Sequence, residues 1–280
     1  MQLYSINTGY FRLDGGAMFG VVPKSIWNKL NPSDENNLCN WAMRSMLIQE
    51  ENRLILIDNG IGDKQDDKFM RHYYLNGDDS LNKSLAKYGF HADDITDVFL
   101  THLHFDHCGG SIIRSGDKLV PAFKNATYWS NLRHWEAATQ PNDREKASFL
   151  KENILPIEES GQLKFVEPTD GVQFSDTMKV RFVYGHTEAM MLPQISYKGH
   201  TVIYVADLLP AVAHLPIPYV MAYDMFPLST MQEKKQFLTE AVDNNYILFF
   251  EHDPVNECCS LQQTDRGVRH KEVFKLEDLK

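Results

Sequence analysis

Three histidines and one aspartate fall within six residues of this 280-residue chain, directly after the apolar stretch Val98-Phe99-Leu100. The residues are His102, His104, Asp106 and His107, and two glycines follow shortly after. Solvated histidines add no stability, and a buried cluster of them needs polar partners. Side chains two positions apart in an extended segment point to the same side. The run, called the histidine loop below, therefore predicts a divalent metal site at a strand end.

The residue types narrow the choice of metal. Imidazole and carboxylate together suit zinc, and also iron, manganese or cobalt. Asp106 and His107 lie where the chain turns toward Gly109-Gly110, so they can serve a second ion beside the first. We expect zinc, with the other three metals as alternatives. The alternative interpretation is a run of exposed histidines on a loop that binds no metal.

The histidine loop resembles the His-x-His-x-Asp-His signature of the metallo-β-lactamase fold superfamily. That signature is specific for the fold and weak for the substrate. The resemblance implies that a His, an Asp and a His follow in this order, and the chain offers His186, Asp207 and His252. Each of the three follows an apolar run, and open sheets place their sites at such carboxyl ends. The resemblance extends over about residues 40 to 255.

Carried over by position, the resemblance implies two metal ions per chain, with three ligands each and one carboxylate that bridges them. The first ion would take His102, His104 and His186, the second Asp106, His107 and His252, and both would share Asp207. Asp58 follows the apolar run Leu54–Ile57. By the same resemblance it would support the histidine loop without binding metal itself.

This ligand set indicates hydrolysis by a metal-bridging hydroxide. Two ions roughly 3.5–4 Å apart can hold a water and lower its pKa from about 15.7 toward 7. The hydroxide would attack a carbonyl or phosphoryl centre. Asp106 could take the proton of the water and pass it to the leaving group. No serine or cysteine nucleophile is needed.

The substrate prediction rests on the resemblance. The seven-ligand set, with an Asp at position 207, resembles that of acyl-homoserine lactonases, glyoxalase II, methyl-parathion-type hydrolases and tRNA-processing nucleases. The tail after His252 is too short for the helical domain of glyoxalase II. We therefore expect a lactonase or esterase, such as a quorum-quenching N-acyl-homoserine lactonase. An organophosphate or aryl-ester hydrolase is the alternative, and a non-catalytic metal-binding module is the alternative of another class.

One position departs from the lactonase pattern. Many acyl-homoserine lactonases carry a Tyr three residues after the bridging Asp, where it donates a hydrogen bond to the substrate carbonyl. Pro210 stands at that position here. Tyr223 and His214 are the residues that could take its place.

Several apolar and aromatic residues are candidates for a substrate pocket. Met18 and Phe19 lie in an N-terminal loop expected at about residues 10–40, and a helical insertion is expected at about 121–156; both would cover the site. Phe105, between two ligands, is a further candidate, together with His214 and Tyr223. Ordinary core packing is the competing interpretation for the two segments. A pocket of this kind favours a small-molecule substrate with an apolar portion.

Composition excludes several classes of function. The net charge of −10 disfavours a nucleic-acid partner, and no run approaches the roughly 18 apolar residues of a membrane span. The N-terminus shows no secretory signal. The four cysteines, two of them adjacent, indicate reduced thiols in a cytoplasmic protein. A homodimer is a possible assembly.

Strand-like and helix-like runs alternate along the chain without a linker, which predicts an α/β fold in a single domain over residues 1–280. The resemblance adds the layering, a four-layer αββα sandwich. Strand-like runs are Met46–Gln49, Leu54–Ile57, Val98–Leu100, Thr127–Trp129, Leu163–Val166, Met178–Tyr184, Gln194–Tyr197, Thr201–Val205 and Tyr246–Phe250. Helical runs are Ser80–Tyr88, Asn131–Ala138, Asp143–Asn153 and Thr230–Asp243.

Overall fold

A computed structural model describes all of residues 1–280, and strands alternate with helices along its length. The strands are β1 (Gln2–Asp14), β2 (Leu38–Gln49), β3 (Leu54–Ile57), β4 (Asp97–Phe99), β5 (Ile112–Ser115), β6 (Lys118–Pro121), β7 (Thr127–Ser130), β8 (Leu163–Phe165), β9 (Val172–Gln173), β10 (Met178–Val183), β11 (Met190–Tyr197), β12 (His200–Tyr204), β13 (Ile247–Phe249), β14 (Cys258–Thr264) and β15 (Gly267–Phe274). The helices are α1 (Gly15–Phe19), α2 (Lys24–Trp27), α3 (Asp67–Met70), α4 (Leu81–Lys87), α5 (Phe105–Cys108), α6 (Leu132–Thr139), α7 (Lys151–Glu159) and α8 (Pro227–Asp243).

The chain divides into two compact units, each built from two stretches of sequence. The first unit contains residues 1–9 and 43–172, and the second contains residues 10–42 and 173–280. The expectation of a single domain stays a prediction.

The first unit is organised by a sheet in the order β1-β2-β3-β4-β7-β8, of which β1 and β2 also contribute residues to the second unit. The central strand β3 pairs antiparallel with β2 and parallel with β4. All four of its residues are buried, which explains its continuous apolar sequence. The core of the first unit includes Leu56, Val98, Tyr128 and Ile157.

The second unit is organised by a seven-stranded sheet in the order β15-β14-β13-β12-β11-β10-β9. β12 and β13 run parallel, with Tyr204 opposite Phe249, and the two rings stack 5.5 Å apart. The long helix α8 begins with Pro227, which suits the first helical position because proline has no N–H to leave unpaired there. Its buried face includes Phe237 and Leu238.

Two segments differ from the sequence-based expectation. Residues 10–40, expected as a loop, contain the end of β1 and the helices α1 and α2. The side chain of Asp14 caps α1 by accepting the N–H of Ala17 at 2.8 Å. The helix predicted over Asp143–Asn153 was wrong for its first part, because α7 begins only at Lys151.

Two further findings bear on the sequence predictions. No disulfide joins the four cysteines, all of which are buried. No helix combines the length and the apolar character needed to cross a membrane.

Candidate metal centre

The histidine loop begins where β4 ends at Phe99 and runs through His102 and His104 into the short helix α5. The parallel partner strand β3 ends beside it, with Ile57 opposite Phe99. Two neighbouring carboxyl ends therefore deliver Asp58 and the histidine loop to the same edge of the sheet. His102, His104, Asp106 and His107 are all buried, although each is polar.

Asp58 supports the loop through three contacts. Its Oδ1 accepts the N–H of Thr101 at 2.8 Å, and its Oδ2 accepts the Thr101 hydroxyl at 2.6 Å. The same Oδ2 lies 3.2 Å from Nδ1 of His107. Thr101 Oγ1 in turn lies 3.1 Å from Nδ1 of His102. Asp58 has a φ of +53°, a left-handed conformation that Asp tolerates better than most residues.

Close backbone packing fixes Gly109, which follows α5, and the neighbouring Gly62. A Cβ on Gly109 would lie 2.1 Å from the carbonyl oxygen of Ile61, and one on Gly62 would lie 2.6 Å from that of Gly109. Gly62 also has a φ of +69°, which only glycine adopts without strain. The Nζ of buried Lys64 donates to the Gly109 carbonyl, and burial lowers the pKa of Lys64 to about 8. This end of the loop cannot shift without moving several backbone groups.

The ring of His104 is held by residues far along the chain. Its Nε2 lies 3.1 Å from Oε1 of Glu145, and its ring packs against Phe149 with centroids 4.9 Å apart. Its Nδ1 lies 3.1 Å from Nε2 of His102, so two candidate ligand atoms converge. Between them, the N–H of Leu103 donates to Nε2 of His134 at 2.8 Å.

In the second unit, His186 follows β10 and is fixed on both sides. Its Nδ1 lies 2.8 Å from Oδ1 of Asp224, and its Nε2 lies 3.0 Å from Oδ2 of Asp207. Burial by itself would lower the pKa of His186, but the two carboxylates raise it to about 10. A metal ion at Nε2 would take the place of a proton, so binding would release one.

Asp207 and His252 follow the parallel strands β12 and β13. Oδ1 of Asp207 lies 3.1 Å from Nε2 of His252, whose Nδ1 lies 2.8 Å from the carbonyl oxygen of Ala42. The carbonyl of Pro210 accepts the N–H of His252 at 3.2 Å. Ala206 has a φ of +41°, and such strain persists only where the surroundings hold the backbone in place. One carboxylate, Asp207, therefore joins His186 and His252.

The five candidate ligand histidines share one arrangement. The protein holds one ring nitrogen of each, and the other nitrogen is directed at a further candidate ligand. The contact on the second nitrogen is 3.1 Å for the pair His102 and His104, 3.0–3.1 Å for the two histidines on Asp207, and 3.8 Å between His107 Nε2 and Asp106 Oδ2. Such support fixes the tautomer of a ligand histidine and orients its ring. The chain thus carries His/Asp clusters able to bind metal ions.

An aromatic cluster lies beside the histidine loop. Phe105 packs against Phe69 and Tyr73, with ring centroids 5.4 Å and 4.6 Å apart. Burial raises the pKa of Tyr73 to about 12, and the charge of Asp106 adds to the shift. The Tyr73 hydroxyl therefore stays protonated near Asp106. Sequence analysis singled out Phe105 but missed the other two rings, which carry no motif of their own.

The other pocket candidates lie in the second unit. Phe19 stacks between Trp27 and His214, at centroid distances of 5.3 and 4.6 Å, and Met18 is also buried. His214 Nε2 lies 2.9 Å from the Met18 carbonyl oxygen, which as an acceptor requires the proton on Nε2. Tyr223 is exposed. Contact with a substrate stays a prediction for all four residues.

The family follows from the sequence match. The family model of the metallo-beta-lactamase superfamily matches residues 44–252, which include every predicted ligand. The chain belongs to the metallo-β-lactamase superfamily. Its fold is the metallo-β-lactamase fold, as the histidine loop predicted.

Relatives and solved structures resemble this chain in part or throughout. The N-acyl homoserine lactonase AiiA of Bacillus thuringiensis subsp. kurstaki is 26% identical over 165 residues, or 55% of this chain. The chain spans about half, 56%, of the length of that relative. A probable metal-dependent hydrolase from Staphylococcus aureus superposes with a TM-score of 0.89 at 28% identity, covering 99% of this chain and 98% of the other. AidC, a dizinc quorum-quenching lactonase, has the same fold, with a TM-score of 0.79 at 22% identity and coverage of 98% and 95%.

Sequence analysis missed the residues that orient the candidate ligands from a distance. Glu145, Asp224 and His134 were not among the residues predicted to hold a candidate ligand. No sequence signal marks Glu145 or Asp224, because each contacts its histidine from about 40 residues away. The cap signal at Asn131, whose side chain accepts the N–H of His134, was the one local hint.

Proposed function

We propose that this protein is a hydrolase with two divalent metal ions, most simply zinc, that cleaves a lactone or a related ester. The observation that carries the proposal is the shared arrangement of the five histidines, each held on one nitrogen and directed by the other toward a further ligand. Histidines that only pack in a core need no such shared orientation of their nitrogens. In this proposal one ion is bound by His102, His104 and His186, the other by Asp106, His107 and His252, with Asp207 shared.

The chain's own residues account for most of the proposed chemistry. Bound ions would supply a Lewis acid for the attacked group and lower the pKa of an attacking water. The Asp106 carboxylate, buried beside His107, would accept the proton of that water and return it to the leaving oxygen. Phe105, Phe69 and Tyr73 would exclude water and contact an apolar part of the substrate.

The two similarities to lactonases support an acyl-homoserine lactone as substrate. AiiA and AidC are both lactonases, and the second is dizinc. An acyl-homoserine lactone combines a polar ring with an apolar tail, which suits a metal site next to an aromatic cluster. With this substrate, the protein would act in quorum quenching by hydrolysing acyl-homoserine lactone signals. A small-molecule substrate and a cytoplasmic location complete the proposal, and the absence of disulfides supports the latter.

A phosphotriester or aryl ester is the second candidate, and Pro210 is the observation that favours it. Proline has no hydroxyl to donate at the position where many lactonases carry Tyr. The proton on Nε2 of His214 is already directed at the Met18 carbonyl, so this nitrogen does not supply the missing donor.

The test measures bound metal and turnover on the same protein. The substrates are a long-chain acyl-homoserine lactone, a δ-lactone, an aryl ester, a phosphotriester and a β-lactam. We expect two ions per chain and fastest turnover of the acyl lactone, with activity lost in His104→Ala and kept in the exposed-histidine control His270→Ala. Turnover of the phosphotriester or aryl ester alone would select the second candidate. Fewer than two ions and no turnover would contradict the proposal.

A further inference from the structure

His104 differs from the other four candidate ligand histidines in which nitrogen the protein holds. The other four are held at Nδ1, by Thr101, Asp58, Asp224 and the Ala42 carbonyl, and direct Nε2 at a further ligand. His104 is held at Nε2 and directs Nδ1 at His102. Nδ1 lies close to the backbone, so the ring must be turned and fixed differently from the rest.

The group that holds Nε2 is a buried carboxylate. Oε1 of Glu145 lies 3.1 Å from that nitrogen, and Glu145 is only 4% exposed. A carboxylate accepts and an ionised one cannot donate, so the imidazole proton must lie on Nε2. The Nδ1 lone pair is then available for a metal ion. A buried Glu145 carboxylate without a hydrogen-bond partner would be costly, which argues that Glu145 and His104 are positioned together.

The segment that carries Glu145 is built to keep this reach constant. Asn142 donates from Nδ2 to Oε2 of Glu145 at 3.2 Å, and its own Oδ1 accepts the N–H of Glu145 at 3.0 Å. The N–H of Phe105, the residue after His104, donates to the Ser148 carbonyl at 3.0 Å. Phe149 then packs on the His104 ring. The carboxylate and the ring it orients are therefore fixed to each other through one short stretch of backbone.

We propose that Glu145 is a positioning residue for the metal ion that His104 binds: by accepting the Nε2 proton it presents Nδ1 to that ion and sets its affinity. The inference rests on the proposed metal-dependent function. It assigns Glu145 to one of the two ions, because the candidate ligand that Glu145 contacts is His104. A carboxylate behind a ligand histidine typically changes metal affinity by 10–100-fold.

The test is a zinc titration of the metal-free full-length chain against a chromophoric chelator. In Glu145→Ala we expect one ion to bind about 10–100-fold more weakly and the other to bind as in the unchanged protein. Glu145→Gln keeps an acceptor oxygen at the same reach, so its loss should be smaller. Glu136→Ala, which changes an exposed glutamate on α6, is the matched control and should bind both ions normally. Urea unfolding of each variant identifies any that fail to fold.

The outcomes separate this inference from the function on which it rests. Fewer than two ions on the unchanged protein would contradict the proposed function. Two ions on the unchanged protein with normal affinities in Glu145→Ala would overturn the role of Glu145 alone. Equal weakening of both ions, or a loss in Glu145→Gln as large as in Glu145→Ala, would also overturn it. If Glu145→Ala does not fold, Glu145→Gln and Glu145→Asp decide, since shortening the side chain should weaken one ion while the amide weakens it less.

Discussion

The two units assemble their candidate ligands in different ways from the same element of structure. Both place candidate ligands at the carboxyl ends of parallel strands, β4 in the first unit and β12 and β13 in the second. The first unit takes all its ligands from one contiguous loop. The second takes them from three separate places in the sequence, after β10, β12 and β13. One set is therefore positioned by local backbone packing and the other by the sheet itself.

The support behind the ligands differs accordingly. In the first unit the loop is held by tight backbone contacts, such as those of Gly62 and Gly109, and by the side chains of Asp58 and Glu145. In the second unit, one shared carboxylate, Asp207, contacts both histidines. Damage to the backbone packing of the first unit should therefore appear mainly as lost stability, and damage to the shared carboxylate of the second mainly as lost metal and activity.

The largest effect should come from Asp207→Asn. Removing its charge weakens the contact to His186 and His252 together, so we expect activity to fall about 10³-fold, equivalent to roughly 4 kcal/mol of transition-state stabilisation. Steady-state kinetics with measured metal content checks this. Asp243→Asn, an exposed aspartate at the end of α8, is the control. Normal activity in Asp207→Asn would break the claim that one carboxylate joins the second unit's ligands.

Gly62→Ala should test the first unit's packing. The new Cβ would combine left-handed strain with a 2.6 Å approach to the Gly109 carbonyl, so we expect a loss of about 3 kcal/mol in the free energy of unfolding. Gly116→Ala is the matched control, because Gly116 has a similar φ of +59° and nothing within 4 Å. It should cost only about 1 kcal/mol. Equal losses in urea unfolding would show that strain alone, and not packing against the loop, matters at Gly62.

Asp224→Asn tests the support of a single candidate ligand, His186. Its Oδ1 lies 2.8 Å from Nδ1 of His186. We expect metal affinity to fall about 10–100-fold, with little change in the free energy of unfolding of the metal-free protein. Zinc titration and urea unfolding on the same sample measure both quantities. A large loss of stability without a loss of zinc affinity would place Asp224 among packing residues.

The smallest effect concerns His214 and pH. Burial lowers the pKa of His214 to about 3, against about 6.5 when unfolded. Between these values only the unfolded chain takes up the proton, so stability falls as pH drops below 6.5. His214→Phe loses one hydrogen bond, about 1 kcal/mol, at pH 7. At pH 5 the unchanged protein has lost roughly 2 kcal/mol through this group, so the difference should close or reverse.

Urea unfolding at the two pH values checks this prediction. The same stability difference between His214→Phe and the unchanged protein at pH 7 and pH 5 would contradict it.

How much the sequence predicts also differs between local and distant features. The histidine loop and β3 were predictable because their signal is contiguous: a ligand run in one case and four buried apolar residues in the other. The helix expected over Asp143–Asn153 was wrong at its start because the Asn142 side chain accepts the N–H groups of Arg144 and Glu145 and makes a turn there. Glu145 itself was not predictable, since it meets His104 across 41 residues.

The central claim is that the ligands of both units serve two metal ions in one protein. Zinc titration of the metal-free chain tests it most directly, with His270→Ala as a control and His252→Ala as the variant that removes a ligand of the second unit. We expect two ions per chain in the unchanged protein and in the control, and one tightly bound ion in His252→Ala. A folded, unchanged protein that binds one ion or none would contradict it.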